Sequence, residues 1–338
     1  MTDRVLVAMS GGVDSSVAAA LLLEAGHEVV GVTLKLWGGE SDRGCCSVAD
    51  VDDARSVARR LGIDHHVFNF GDDFDAHVVA PYVADHAAGR TPNPCIECNR
   101  HLKFDRLLRR AEALGFERVA TGHHARIVDG RVARGADADK DQSYVLHMLR
   151  PEVLERIRFP VGHLTKGAVR AEAARLGLAT ADKPDSQDVC FITASGGRTT
   201  FLGDRIDVRP GRVVDRSGAE VGRVDAVELV TLGQRKGLGL PGGGPIQYVV
   251  DVDVERQVVT VGDEQDLLVT RVELLDLVWT AAVVTGDLVA QSSAHGVPRP
   301  AHLDGDAVVY AEPVRRVAPG QSVVLYQGDQ VVAAGIAR

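Results

Sequence analysis

No apolar run in this 338-residue sequence reaches membrane-spanning length, and no charged segment followed by an apolar stretch opens it. The expectation is therefore a soluble, cytoplasmic protein with no membrane partner. Cysteines are few and odd in number, five in all, which argues against a structural disulfide framework. One pair has C-x-x-C spacing, Cys95 and Cys98, but no second C-x-x-C or H-x₃₋₅-H partner accompanies it, which argues against structural zinc. Positive charge is also in deficit. Thirty-eight Lys and Arg face 47 Asp and Glu, a net charge of −9, so the chain is not built to coat nucleic acid non-specifically, although a local basic surface remains open to it. Aromatic residues make up only 4%. There is no fixed-period repeat and no low-complexity tail. What remains is ordinary globular composition, 45% hydrophobic and 25% charged, in a chain long enough for two or three domains.

The most informative stretch lies near the start. An apolar run, Val5-Leu6-Val7-Ala8-Met9, enters Ser10-Gly11-Gly12-Val13-Asp14-Ser15-Ser16, and a helical pattern from Val17 to Ala25 leaves it. A strand that ends at a glycine pair and opens a helix builds an anion site. The glycines allow close backbone approach, and the helix N-terminus offers unpaired N–H groups and a positive dipole end. Ser10, Ser15 and Ser16 add hydroxyl donors. Asp14 is repulsive beside phosphates unless a cation intervenes, which makes it a candidate ligand for Mg²⁺ carried by a nucleotide. No lysine follows the glycines, so this is not the G-x-x-x-x-G-K-[ST] phosphate loop. The plain alternative, a strand-to-helix turn with a Ser N-cap, accounts for the glycines but not for the full heptapeptide.

The first half alternates strand and helix. Strands are predicted at 29–34, 66–70 and 118–121. Helices are predicted after a capping signal at Ser47 (apolar at Val51, Ala54, Ala58 and Leu61), around Phe74, Val78 and Tyr82, at 107–114 and at 166–176. This order implies a parallel, doubly wound sheet with ligands beyond the strand carboxyl ends, so the loops after Met9, Leu36 and Thr121 fall on the ligand side. An Asp129-Gly130 turn predicts a hairpin. From about residue 205 the texture becomes short Val-rich alternating runs between Gly, Pro and Asp turns, an all-β half with a loop at 237–245.

The thiols occupy telling positions. Cys95 and Cys98 sit between a proline-rich loop and a helix start, where a thiol pKa is depressed. Cys190 also follows a polar loop. The alternative for Cys98 and Cys190 is that they are packing thiols. Cys45 and Cys46, adjacent on a loop, read as two small residues beside the nucleotide site.

These motifs together resemble the bacterial tRNA-specific 2-thiouridylases, the MnmA type. The heptapeptide at 10–16, common to N-type ATP pyrophosphatases, is followed in family order by Gly89-Arg-Thr-Pro-Asn-Pro94 with Cys98-Asn99. Lys103-Phe104, Ala120-Thr-Gly-His123, Lys140-Asp-Gln-Ser-Tyr144 and Asp185-Ser-Gln187 come next. Cys190-Phe-Ile192, Thr231-Leu-Gly-Gln-Arg-Lys-Gly-Leu-Gly239 and Pro319-Gly-Gln321 complete the series. The resemblance covers nearly the whole chain. It implies an α/β N-terminal domain, adenine nucleotide α-hydrolase-like with a parallel sheet and a PP-loop, at 1–203. A small β-rich domain at 204–275 and a C-terminal β-barrel at 276–338 follow.

The implied chemistry is ATP-dependent adenylation of C2 of the wobble uridine in tRNAs of the Lys, Glu and Gln type, then sulfur transfer from a cysteine persulfide. By position, Cys190 is the persulfide carrier and Cys98 the second thiol, ending as a transient Cys98–Cys190 disulfide. Ala8, Met9, Ser10, Gly11, Gly12, Val13, Asp14, Ser15, Leu34 and Gly122 match ATP-binding positions. Asn93, Pro94 and Cys95 match the segment facing the target base; Lys140, Asp141 and Gln142, with His123 and Gln321, match tRNA contacts. ATP and Mg²⁺ are the implied cofactors, and a cysteine desulfurase or sulfur-relay protein the implied persulfide donor.

Two departures stand out. Ala290-Gln-Ser-Ser-Ala-His295 replaces a basic, aromatic Arg-Tyr-Arg stretch, and Cys95 stands where an aspartate is frequent. The second opens a different route, in which Cys95, Cys98 and Cys190 ligate a [4Fe–4S] cluster. An amide-forming synthetase that needs no cysteine, and a non-catalytic RNA-binding module, are the rival readings. If tRNA is held through phosphates, its affinity falls linearly with ionic strength on a log–log plot, because counterions are released on binding. Filter binding from about 50 to 200 mM salt checks this, and a flat line contradicts a phosphate-tracking surface.

Overall fold

The computed structural model describes residues 2–36, 48–185, 189–192 and 197–338. β1 (Arg4–Ala8), β2 (Glu28–Lys35), β3 (His65–Asn69), β4 (Arg118–Thr121) and β7 (Ile157–Arg158) form one sheet in the order β3-β2-β1-β4-β7. All four pairings are parallel. The sheet is covered on both sides because successive interior positions of its central strands, on both faces, are buried. In β1, Val5 and Val7 face one core and Leu6 the other. Helices α1 (Val13–Glu24) and α2 (Val48–Leu61) pack on the Val5/Val7 side through Val17, Ala18, Ala54 and Val57. The opposite side is covered by a helical run at 71–87 (α3), with Phe74, Val78 and Tyr82 inward, and by another at 94–113 (α4). Helix α5 (Lys166–Arg175) returns to α1, with Val169 and Ala173 in its core. A short helix α6 (Gly197–Gly203) follows.

The expected strands appear, with ends shifted by a residue or two. Helix α4 differs in one respect: the helix start expected beside Cys95 and Cys98 and the helix expected at 107–114 are one continuous run from Pro94. Asn93 caps it by accepting from the Cys95 N–H (3.0 Å), and Pro94 takes the first helical position. The segment Cys98–Arg106 is π-helical, and its wider turn scrambles the 3.6-residue apolar spacing by which a helix is recognised.

The Asp129-Gly130 hairpin forms, β5 (Ala125–Val128) against β6 (Arg131–Arg134), with both turn residues at positive φ (50° and 72°). The second half has two sheets. β8 (Gly211–Val214), β9 (Glu220–Val224), β10 (Tyr248–Asp253) and β11 (Val258–Gly262) make a four-stranded sheet, order β10-β11-β8-β9, around Val213, Val224, Val249 and Val259. The strands β12 (Leu268–Trp279), β13 (Leu288–Gln291), β14 (Arg299–Asp304), β15 (Ala307–Arg315), β16 (Ser322–Gln327) and β17 (Gln330–Ala337) close a six-stranded barrel. Closure is possible because β12 pairs with both β15 and β17. β12 runs through residue 275, where the domain boundary was expected. The β5–β6 hairpin does not stay with its own domain. β6 adds to β17, extending the barrel wall.

That wall is shared. In β16, Val323 and Leu325 fill the barrel, whereas Val324 and Tyr326 enter the core of the α/β domain. Polar contacts pin the seam. The Tyr144 hydroxyl donates to the Ser322 carbonyl (2.8 Å), the Tyr326 and Ser143 hydroxyls bond (3.0 Å), and the Thr91 N–H donates to Pro319 O (2.8 Å).

Buried histidines make the fold acid-sensitive. Burial lowers His86 to about 4, helped by Arg198, and lowers His147, at the barrel seam, to about 3, helped by Arg100. Both are neutral in the native state, so between pH 6.5 and about 4 the unfolded chain binds protons that the native chain does not. Stability is full above pH 6.5 and falls as the pH drops, by about 1.4 kcal/mol per pH unit for each such histidine. Urea midpoints measured from pH 7 to pH 5 test this; an unchanged midpoint refutes it.

Candidate active site

The β1–α1 loop is shaped by close backbone contacts. Gly11 has φ 73°, and a Cβ there would lie 2.3 Å from the Asp50 carbonyl oxygen at the start of α2. Gly122, after β4, presses on the loop from the other side; its Cβ would lie 2.5 Å from the Ser15 nitrogen. Gly12 is the N-cap of α1 and offers no side-chain cap, leaving the first amides of the helix without side-chain acceptors. The serines do less for a ligand than their sequence suggests. Ser15 Oγ accepts from the Ser10 N–H (3.1 Å) and donates to the Gly12 carbonyl (3.1 Å), and fully buried Ser16 donates to the same carbonyl (2.8 Å). Their hydroxyls tie the loop to itself, and the backbone N–H groups are its anion donors. Lys183 completes the frame, with Nζ 3.0 Å from the Gly11 carbonyl and 2.7 Å and 2.5 Å from Asp50 and Asp53.

Beside the loop stands a chain of charges that sequence reasoning missed. Both Asp14 oxygens accept from Lys166 Nζ (2.8 and 2.7 Å), and one also lies 3.0 Å from His124 Nε2. Lys166 reaches Asp185 as well (2.9 Å), and Asp185 also pairs with Lys140 (2.8 Å) and Arg170 (3.0 Å). Burial raises the Asp14 carboxyl, but the hydrogen bonds from His124 and Lys166 outweigh it and hold the pKa below the ordinary value. For Asp185 burial is again opposed, by Lys140 and Lys166, and the result is about 2. Lys166 begins α5, directly after the Thr165 cap, and its partners lie 152 residues away (Asp14) or across a loop (Asp185).

A cavity of about 910 Å³ opens at the carboxyl ends of β1, β2 and β4. Every expected site residue except Gly11 lines it. At one part are Ala8, Met9, Ser10, Gly12, Val13, Asp14, Ser15, Leu34 and Gly122; at another are Asn93, Pro94, Cys95, Cys98 and Cys190; His123, Lys140, Asp141, Gln142 and Gln321 also contribute. Gly11 shapes the loop from behind. Cys98 is buried and belongs to the apolar core as well as the cavity wall, whereas Cys95 and Cys190 are half-buried; the three are thiols. Among the described residues, no group of three His, Cys, Asp or Glu side chains is placed to hold a single metal ion. Cys45, Cys46, Ser186 and Gln187 lie outside the described residues.

Several expected tRNA contacts have internal work. The Asp141 carboxylate accepts from the Gly135 and Ser143 N–H groups (2.9 and 3.0 Å), from Ser143 Oγ (2.8 Å) and from Arg134 (3.1 Å). Gln142 Oε1 accepts from the His124 N–H (2.9 Å), and Gln321 Nε2 donates to Thr91 O (2.6 Å), holding the loop before Asn93. The His123 ring is buried between Phe104 and Phe159, with centroids 5.8 and 5.9 Å away. Burial, helped by Lys103, keeps its pKa well below the ordinary value, so the ring is neutral. Arg198, at the start of α6, lines the cavity and donates to Thr231 Oγ1 (2.9 Å), which brings the 231–239 motif to its rim. Ala294 and His295 line the cavity too, at the segment that departs from the family pattern.

Family models cover the chain in three parts: a tRNA methyl transferase HUP domain over residues 3–194, its PRC-barrel domain over 199–263, and an aminomethyltransferase beta-barrel domain over 275–337. A tRNA-specific 2-thiouridylase from Mycolicibacterium gilvum is 50% identical across 99% of both chains. The chain belongs to the tRNA-specific 2-thiouridylase family. Another member, from Mycobacteroides abscessus, is 48% identical over 98% of this chain and 99% of its own. Among solved structures, the U34-tRNA thiolase NcsA from Methanococcus maripaludis with its [4Fe-4S] cluster is 17% identical over 60% of this chain and 64% of its own. Its TM-score of 0.37 is too slight a likeness to bear on the site.

Gly122→Ala tests the loop frame. Forcing a methyl against the Ser15 backbone should cost about 1–3 kcal/mol of stability and weaken ATP binding, because the α1 amides shift. Urea denaturation and ATP titration report both; a variant equal to wild type in each removes Gly122 from the frame.

Proposed function

We propose that this enzyme converts the wobble uridine of its tRNA substrates to 2-thiouridine, with ATP at the β1–α1 loop and a persulfide on Cys190. The uridine C2 oxygen attacks the α-phosphorus of ATP; the bond to the β-phosphate oxygen breaks and pyrophosphate leaves. C2 now carries adenylate, a far better leaving group than a carbonyl oxygen. The outer sulfur of the Cys190 persulfide attacks C2 and AMP departs. The Cys98 thiolate then attacks the inner sulfur of Cys190. The old S–S bond breaks, its electrons forming the C2 thiocarbonyl, and a Cys98–Cys190 disulfide is left for a cellular thiol reductant to open.

The observation that carries this reading is that the nucleotide loop and three cysteines from distant parts of the sequence line one cavity. Asn93 contributes by fixing Cys95 in the first turn of α4, where a helix N-terminus favours thiolate. Mg²⁺ enters with ATP and neutralises phosphate charge; Asp14, whose carboxylate lines the cavity, is its protein ligand in this reading. The two β-rich domains hold the tRNA body, with exposed Arg235 and Lys236 as phosphate contacts. A cysteine desulfurase or sulfur-relay protein loads Cys190, and the setting is cytoplasmic.

Unmodified tRNA is incubated with the enzyme, ATP, Mg²⁺ and a persulfide source, and its nucleosides are analysed by mass. Wild type should give 2-thiouridine and AMP, while Cys190→Ser and Cys98→Ser should lose the thionucleoside by about 10³-fold or more. Full activity of either serine variant sinks the persulfide route. AMP without any thionucleoside from wild type sinks thiolation itself.

A further inference from the structure

The Lys166 ammonium is engaged by two carboxylates: it donates to both oxygens of Asp14 (2.8 and 2.7 Å) and forms an ion pair with Asp185 (2.9 Å). Its side chain is only 13% exposed and lines the cavity beside the first turn of α1. A cation so placed is partnered, yet it stands where the phosphates of a nucleotide on that loop would lie. We infer that Lys166 is a phosphate-binding residue that exchanges Asp14 for the β- and γ-phosphates of ATP and stabilises the departing pyrophosphate. This rests on the reading of the β1–α1 loop as the ATP site.

The charge pattern permits that exchange for Lys166. If Lys166 leaves Asp185, that carboxylate keeps Lys140 (2.8 Å) and Arg170 (3.0 Å). If it leaves Asp14, that carboxylate keeps His124 Nε2 (3.0 Å). Neither acid is stranded without a partner, which is the condition for a buried ion pair to open at low cost. The Lys166 backbone, meanwhile, is fixed. Its N–H donates to Asp137 (2.8 Å), and the Thr165 side chain caps the helix by accepting from Ala168 N–H (3.2 Å). Only the four-carbon stem has to swing. A triphosphate arriving at two carboxylates needs a cation between them, and a charge-assisted bond that strengthens as pyrophosphate gathers charge lowers the barrier rather than merely tightening binding.

The test measures ATP, the non-cleavable α,β-methylene analogue of ATP, and AMP on the full chain by calorimetry, with the rate of AMP formation measured alongside on tRNA. In Lys166→Met, affinity for ATP and its analogue should fall about tenfold or more, while AMP, which lacks the β- and γ-phosphates, changes less than about threefold. AMP formation should drop about 10²-fold or more. Lys166→Arg keeps the charge and should recover most of the ATP affinity, whereas Lys166→Gln keeps a donor without charge and should not. If Lys166→Met does not fold, the Arg and Gln pair decides. Unchanged ATP affinity, equal losses for ATP and AMP, or Arg and Gln behaving alike would each overturn the inference and leave Lys166 as a strut between two aspartates. Wild type that binds AMP and ATP equally also overturns it, while wild type that binds no nucleotide overturns the ATP site itself.

Discussion

Backbone packed directly on backbone around residues 11–15 is the constraint on which this structure rests. On one side the first turn of α2 meets Gly11; on the other the end of β4 meets Ser15 through Gly122. Neither contact leaves room for a side chain. The N-terminus of α1 is thereby held open toward the cavity, and the serine hydroxyls are consumed in bracing the loop rather than in reaching a ligand. The anion-binding capacity is therefore a property of amide positions, set by three segments far apart in the chain. Lys183 adds a fourth anchor on the Gly11 carbonyl.

The C-terminal barrel is part of the same frame. Its wall contributes Val324 and Tyr326 to the α/β core and pairs with the β5–β6 hairpin, so barrel and nucleotide domain share a hydrophobic boundary. A continuous line of bonds joins that boundary to the site. The Tyr326 hydroxyl bonds Ser143, Ser143 bonds Asp141, the next residue, Gln142, bonds the His124 backbone, and the His124 ring bonds Asp14. The segment 140–144, which resembles a tRNA-contacting motif, is in this structure the joint between barrel and active site. A buried carboxylate with four donors is costly to disturb, because removing one partner strands the others.

Much of this was legible in the sequence because it is local. The alternation of Val-rich strands with helical periods gave the parallel sheet, the Asp129-Gly130 pair gave its hairpin, and the glycine loop after an apolar strand gave the anion site. These are consequences of φ/ψ preference, burial period and turn chemistry, each acting over a few residues. The helix start beside Cys95 and Cys98 was legible from the proline-rich loop before it, but its continuation to 113 was not, because π-helical turns between Cys98 and Arg106 disturb the apolar spacing.

What the sequence by itself determined, then, was the set of elements, the chemical inventory and the position of each thiol and glycine along the chain. Only the tertiary structure decided which charges meet. Lys166 stands 152 residues from Asp14, Lys183 172 residues from Gly11, and Tyr326 183 residues from Ser143. Nothing in local pattern encodes such pairings. They exist because the parallel sheet delivers α1, α2, α5 and the barrel wall to one rim, where buried charge must find a partner or not be buried at all.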